Sequence, residues 1–188
     1  MSKSIGEGLS FQLDQAHLNE LQRVAENTAM LHGEGDQQTI LAWCALASAL
    51  EDDGEIIDAG EIFIHALEKM EIDPGFDHPH TLIIATKVAI FLREKGSLDS
   101  SEKMFERILK TLECAPDPDY DFIFTNLSAM GRLMEFAGRL PEAAELHKRA
   151  LEGRTGLFGP DHERTRFSAL RLAAVLEKMP ESKIKSET

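Results

Sequence analysis

An internal repeat of 42 residues runs through most of the chain and limits the folds that it can adopt. Gly54, Gly96 and Gly138 are spaced 42 residues apart, and apolar residues on either side of each glycine keep the same offset. The matched apolar sets include Leu46, Val88 and Met130; Leu50, Leu92 and Met134; and Leu67, Leu109 and Leu151. A repeat of this length predicts a supersecondary unit that buries its apolar face only by stacking against its neighbours.

Each repeat has the pattern of a helical hairpin. The apolar residues before the first glycine fall on one face of a helix: Trp43, Leu46, Ala47 and Leu50. Gly54 follows, and glycine accepts the left-handed conformation that often ends a helix. A second helical stripe comes after it: Ala59, Ile62, Phe63, Ala66 and Leu67. The pattern therefore predicts two antiparallel helices in contact.

These positions resemble a known family. The order of Trp43, Leu46, Ala47, Leu50, Gly54, Ala59, Phe63 and Ala66 is similar to the tetratricopeptide repeat signature. The repeat is longer than the usual length of about 34 residues and resembles the repeats of the kinesin light chain group. The turn at residues 157–162, with a counterpart at 77–81, carries the same resemblance, which extends over residues 36–179. It implies an all-α fold, a right-handed α-solenoid of antiparallel helix pairs.

The repeat also predicts the domain organisation. We expect about eight helices in a single domain at residues 11–179, between a flexible N-terminus at 1–10 and a flexible tail at 180–188. Within it we expect a leading helix at 11–31, repeats at about 37–78, 79–120 and 121–161, and a closing helix at 162–178. The closing helix has no partner helix, so Leu172, Val175 and Leu176 should meet water. A homodimer through this uncovered helix is a further expectation.

Composition excludes several classes of function. The net charge of −13 opposes binding to nucleic acid or to an anionic membrane, because both need a positive field. Two distant cysteines indicate a reducing compartment, and the N-terminus lacks a secretory pattern, so we expect a cytoplasmic protein. The sequence carries no metal-ligand, phosphate-loop or nucleophile motif, so no cofactor, metal or catalytic residue is expected.

The family resemblance implies that first helices line a concave surface where partners bind. The positions expected there lie off both packing stripes: Leu41, Cys44, Ile83, Thr86, Lys87, Ile90, Thr125, Ser128, Arg132, Phe167, Leu170 and Arg171. The sequence therefore predicts a non-catalytic scaffold that binds a peptide or protein. The alternative for these side chains is that they pack against neighbouring first helices. The alternative function is a helical pocket that binds or transforms a small molecule.

The sequence departs from the family at the groove itself. Asparagines that often lie side by side in such grooves are replaced here by Cys44-Ala45, Thr86-Lys87, Ser128-Ala129 and Leu170-Arg171. The identity of any family ligand therefore does not transfer to this chain. His147 also stands where the other repeats carry Phe63 and Phe105, which predicts a packed histidine.

Overall fold

The computed structural model describes residues 15–179, and this part of the chain contains eight α-helices and no strand. The all-α prediction is thus confirmed. The predictions for residues 1–14 and 180–188 lie outside the described residues. No helix within residues 15–179 has the length and hydropathy needed to cross a membrane.

The helices divide between two compact units, one ending at Gly75 and one beginning at Phe76. The described part of the first unit holds three helices: α1 (Gln15–His32), α2 (Gln37–Asp53) and α3 (Ile56–Ile72). The second holds five: α4 (Pro79–Glu94), α5 (Leu98–Glu113), α6 (Tyr120–Phe136), α7 (Leu140–Phe158) and α8 (Glu163–Lys178). The interpretation of residues 11–179 as a single domain stays a prediction.

The repeated glycines end the first helix of each pair. Gly54, Gly96 and Gly138 have φ angles of 92°, 77° and 73°, in the left-handed region that side chains rarely adopt. The Gly54 N–H donates to the Glu51 carbonyl, which would otherwise lack a partner at the helix end. The sharp turn that follows allows the second helix to run back along the first.

The predicted turn motif caps α4 and α8 at their N-termini. The His78 side chain accepts a hydrogen bond from the His80 N–H, and Pro79 occupies the first turn of α4. His162 accepts the equivalent bond from the Arg164 N–H at the start of α8. Both histidines thus satisfy a backbone donor that a helix start leaves free. The prediction that this motif caps a helix is thus confirmed at His78.

The first unit has its core between α1, α2 and α3. Phe63 on α3 is 3% exposed, and Leu18, Leu46 and Ala49 form a buried cluster on α1 and α2. Trp43 packs against that cluster but is only partly buried. A place on the apolar stripe of α2 therefore does not remove the whole indole from water.

The second unit has a larger core in which α5 and α6 bury bulky side chains completely. The largest apolar ones, each at most 2% exposed, are Phe105, Ile108, Leu127, Leu133 and Met134. Close approach of α6 and α7 depends on Gly153, where a β-carbon would lie 2.2 Å from the Phe124 ring. This core supports the face on which α4, α6 and α8 meet.

The closing helix buries a different face from the one expected. Val175 is fully buried, whereas the prediction placed it in water; Leu176 is 38% exposed, as expected. In the repeat, Val175 corresponds to Ala49, Phe91 and Leu133, all of which are buried in their own helices. This position packs within the stack of helices and does not need a following helix. The homodimer through α8 stays a prediction.

The difference in burial between Phe63 and Trp43 predicts different costs of truncation. Phe63→Ala should lower the free energy of unfolding by about 3–5 kcal/mol, because it empties a closed site. Trp43→Ala should cost roughly half as much, since water already reaches part of the indole. Urea unfolding followed by circular dichroism measures both values. An equal cost for the two variants would show that the indole is as buried as the phenyl ring.

Candidate partner-binding groove

A groove of about 890 Å³ lies in the second unit on the side formed by α4, α6 and α8. It brings together seven of the predicted site residues: Ile90, Thr125, Ser128, Arg132, Phe167, Leu170 and Arg171. Five more residues complete the lining: Ala129, Arg154, Glu163, Arg164 and Arg166. The positions off the packing stripes of α4, α6 and α8 therefore do converge on one surface.

Other predicted site residues are placed elsewhere. Thr86 is buried, and its hydroxyl donates to Asn126 Oδ1 at 2.9 Å. Ile83 is 45% exposed on α4 and Lys87 is half-buried, but neither lines the groove. For Thr86, the alternative that the side chain packs against the next first helix describes the structure better.

Leu41 and Cys44 belong to α2 of the first unit. Leu41 is 42% exposed, but Cys44 is buried, and burial raises the pKa of its thiol to about 11. A thiol with so high a pKa is almost entirely protonated at neutral pH and is a poor nucleophile. Cys44 was expected on the partner-binding face; its burial makes it a small apolar core residue instead.

Asn126 is a buried polar residue that the sequence analysis overlooked. It is fully buried on α6, accepts the Thr86 hydroxyl, and donates from Nδ2 to the Phe122 carbonyl at 3.0 Å. The bond to Thr86 is buried and crosses from α4 to α6, so it holds the two helices at a defined offset, because a missing partner there would cost free energy. The bond to Phe122 fixes the amide within α6. In the repeat, its position corresponds to Ile84, and an amide in an apolar position was the available signal.

Arg154 is the second residue that the sequence analysis missed, and it joins α6 to α8 from below the groove. Its guanidinium donates to Ser168 Oγ at 2.8 Å and to Thr125 Oγ1 at 2.9 Å, and its Nε lies 3.6 Å from Asp121 Oδ1. Burial lowers the pKa of Arg154, yet an arginine keeps its charge at neutral pH. Its repeat counterparts, Met70 and Leu112, are buried apolar residues.

Two large apolar side chains of the closing helix remain open to solvent in the groove. Phe167 is 52% exposed and Leu170 is 69% exposed. The Arg171 guanidinium lies 5.1 Å from the centre of the Phe167 ring, close enough for a cation–π contact. Exposed apolar surface beside fixed cations can bind a ligand that has both apolar and acidic groups.

The groove is positive although the chain as a whole is acidic. It is lined by five arginines and a single carboxylate, that of Glu163, while Asp121 pairs with Arg154 and Arg164 beneath it. Arg132 has a lowered pKa because of desolvation and because Arg93 and Arg171 lie nearby. The groove therefore concentrates like charges, and an acidic ligand would relieve their repulsion.

A buried histidine lies behind one end of the groove. The His147 ring is 1% exposed; its Nε2 lies 3.1 Å from Glu135 Oε1, and Lys178 donates to Glu135 Oε2 at 2.8 Å. Gly131 faces the ring so closely that a β-carbon would come within 2.8 Å of it. The prediction of a packed histidine is confirmed. The contact with Glu135 gives the ring a polar partner that a phenylalanine would lack.

The residues around His147 perturb its titration. Burial lowers the pKa of His147, against the opposing effect of Glu135, and Arg171 and Arg132 lower it further. Burial would raise the pKa of Glu135, but hydrogen bonds from Lys178 and His147 outweigh it, so that pKa is also lowered. Among residues 15–179, no group of three side chains suits a metal ion.

The lowered pKa of His147 predicts a stability that falls with acidification. Its folded-state pKa lies below the unfolded value of about 6.5, so protons bind the unfolded chain better. The urea concentration at the midpoint of unfolding should therefore decrease as the pH is lowered from 7.5 to 5.5. This interval lies above the range where Glu135 titrates. His147→Phe, which restores the residue of the other repeats, should show a smaller fall over that interval. The same fall in both proteins would assign the effect to other groups.

Residues 80–155 match the family model described as tetratricopeptide repeat. A candidate kinesin light chain from Podosopora anserina with nearly identical TPR-like repeats is 16% identical, with a TM-score of 0.74; a point variant of it is also 16% identical, with a TM-score of 0.76. Each alignment covers 87% of this chain and 77% of that chain.

BtubC (BKLC) from P. vanneervenii is 14% identical, with a TM-score of 0.74, over 87% of this chain and 66% of that chain. No protein of curated function matches the chain in sequence. The fold thus defines an α-helical repeat protein, a TPR-like helical solenoid. Residues 80–155 are similar in sequence to tetratricopeptide repeats, and the resemblance in fold to kinesin light chain-like repeats is confirmed.

Proposed function

We propose that the protein is a non-catalytic scaffold whose groove on α4, α6 and α8 holds a segment of a partner polypeptide. The observation that carries this proposal is the exposure of Phe167 and Leu170 beside Arg132 and Arg171 in one groove. Large apolar side chains that stay exposed next to cations are a typical feature of peptide-binding surfaces. A partner would cover the apolar side chains and neutralise the cations.

The groove suits an extended ligand better than an enclosed small molecule. Small-molecule sites usually bury most of the ligand surface within a concave pocket. Here the two apolar anchors lie on the closing helix, which has no further helix over it among the described residues. A chain lying across α4, α6 and α8 could contact Ile90, Phe167 and Leu170.

The charge pattern selects the kind of partner. The arginines of the groove favour acidic residues in the bound segment, while the net charge of −13 on the whole chain repels long polyanions. We therefore propose a protein or peptide with acidic and apolar residues, and not nucleic acid or an anionic membrane. Cys44 and Cys114 are both free, which is consistent with a reducing compartment such as the cytoplasm.

Peptides selected against the groove test the apolar part of this proposal. Peptides taken from a random library on the wild-type protein should lose about tenfold or more in affinity for Phe167→Ala, because a buried phenyl ring contributes roughly 1.5–3 kcal/mol. Leu157→Ala is the matched control, since Leu157 is 49% exposed on α7 and does not line the groove. Equal losses in the two variants would place the binding site elsewhere.

Charge reversal tests the polar part. Arg132→Glu should weaken the acidic members of the same peptide set and spare the uncharged ones, because it replaces an attraction by a repulsion in the lining of the groove. Fluorescence anisotropy at two salt concentrations measures the change, which should shrink as salt rises. Affinities that stay unchanged for every peptide would remove Arg132 from the binding surface.

A further inference from the structure

A second, smaller hollow adjoins the groove where α4, α6 and α8 approach their C-terminal ends. It has a volume of about 380 Å³ and is lined by Arg93, Glu94, Arg132, Glu135, Phe136, Arg171 and Lys178. Arg132 and Arg171 line both the hollow and the groove. The two therefore form one continuous surface, and the exposed Phe167 and Leu170 belong only to the groove.

The charges around the hollow do not cancel. Four basic side chains face two carboxylates, and both carboxylates already have partners: Glu94 pairs with Arg93, and Glu135 with Lys178. Arg132 and Arg171 make no ion pair within residues 15–179. The positive charges of Arg132 and Arg171 are therefore left uncompensated. His147 adds no charge at pH 7, because its lowered pKa keeps it neutral.

Arg93 adds a separate sign that the hollow is built for a ligand. Its side chain is only 5% exposed, and its Nη1 is buried without a hydrogen-bond partner. A buried guanidinium nitrogen with no acceptor is costly, and the pairing with Glu94 leaves that nitrogen unsatisfied. An oxyanion in the hollow, with a small movement of Arg93, would supply the missing acceptor.

We infer that this hollow binds the phosphate group of a phosphorylated side chain on the partner segment that the groove holds. The hollow has two uncompensated guanidiniums, which match the charge of a phosphate dianion and exceed that of a carboxylate. Planar guanidiniums also match phosphate geometry with paired hydrogen bonds. The inference rests on the proposed function for the identity of the partner, but binding of the phosphate group itself does not require the rest of the groove.

The test uses small probes and no partner peptide. The wild-type protein is titrated at pH 7.5 and constant ionic strength with N-acetyl-O-phosphoserine amide, N-acetyl-glutamate amide and inorganic phosphate, while the arginine Nε–H signals are followed by NMR. We expect saturable shifts of the Arg132 and Arg171 signals. The dissociation constant for the phosphoserine probe should be at least about tenfold lower than for the glutamate probe, because the dianion makes stronger charge-assisted bonds.

Variants distinguish the hollow from the general charge of the groove. Arg132→Gln and Arg171→Gln should each weaken phosphoserine binding by about tenfold, the usual loss of one charge-assisted hydrogen bond. Arg166→Gln removes the same charge from the groove outside the hollow, and it should weaken phosphoserine binding much less than either of these variants does. Circular dichroism of each variant checks that it is folded.

Three outcomes would overturn the inference. The first is a response that does not saturate or that is equal for the glutamate probe. The second is an equal loss in Arg166→Gln and Arg132→Gln. The third is binding of inorganic phosphate without binding of phosphoserine, which would make the hollow a site for free phosphate. None of these would affect the peptide results with Phe167→Ala, so the proposed function and the phosphate site can fail separately.

Discussion

The two helices of each pair pack closely against each other at small residues. The other features of the structure depend on this contact. The small residues on the first helix include Ala47 and Ala89, and those on the second include Ala59 and Ser101, all at most 2% exposed. The contact is near enough for Ser101 Oγ to donate to the Ala89 carbonyl at 2.7 Å. Because the helices cannot separate without losing these contacts, side chains pointing away from them are free to vary, and the groove residues are of that kind.

The second unit has buried polar side chains at three positions where other repeats of the chain have apolar ones. Asn126, His147 and Arg154 are each buried, and each binds a residue of another helix: Thr86, Glu135 and Ser168 respectively. Buried polar networks tolerate fewer arrangements than apolar packing, because each misplaced partner costs free energy. The face of α4, α6 and α8 is thereby held in one geometry, which lowers the entropy lost when a ligand binds.

The repeat in the sequence predicted the helices well, because spacing alone decides which residues of a hairpin face each other. It predicted the groove less well. Cys44, Thr86, Ser128 and Leu170 share one position of the repeat, yet Cys44 and Thr86 are buried and Leu170 is mostly exposed. For Thr86 the reason is Asn126 on α6, whereas Leu170 lies on the last helix described. Arg154 was missed because periodicity identifies a buried position without showing what a charge there could bind.

The fit of Gly131 against His147 links two positions that are 16 residues apart. The other two repeats have alanine and phenylalanine at these places. A methyl group added at residue 131 alone would collide with the imidazole, and a phenyl ring at residue 147 alone would leave Glu135 without that nitrogen as a partner. The cost of a methyl group at residue 131 therefore depends on which ring residue 147 carries, so substitutions at the two positions should not be additive in stability.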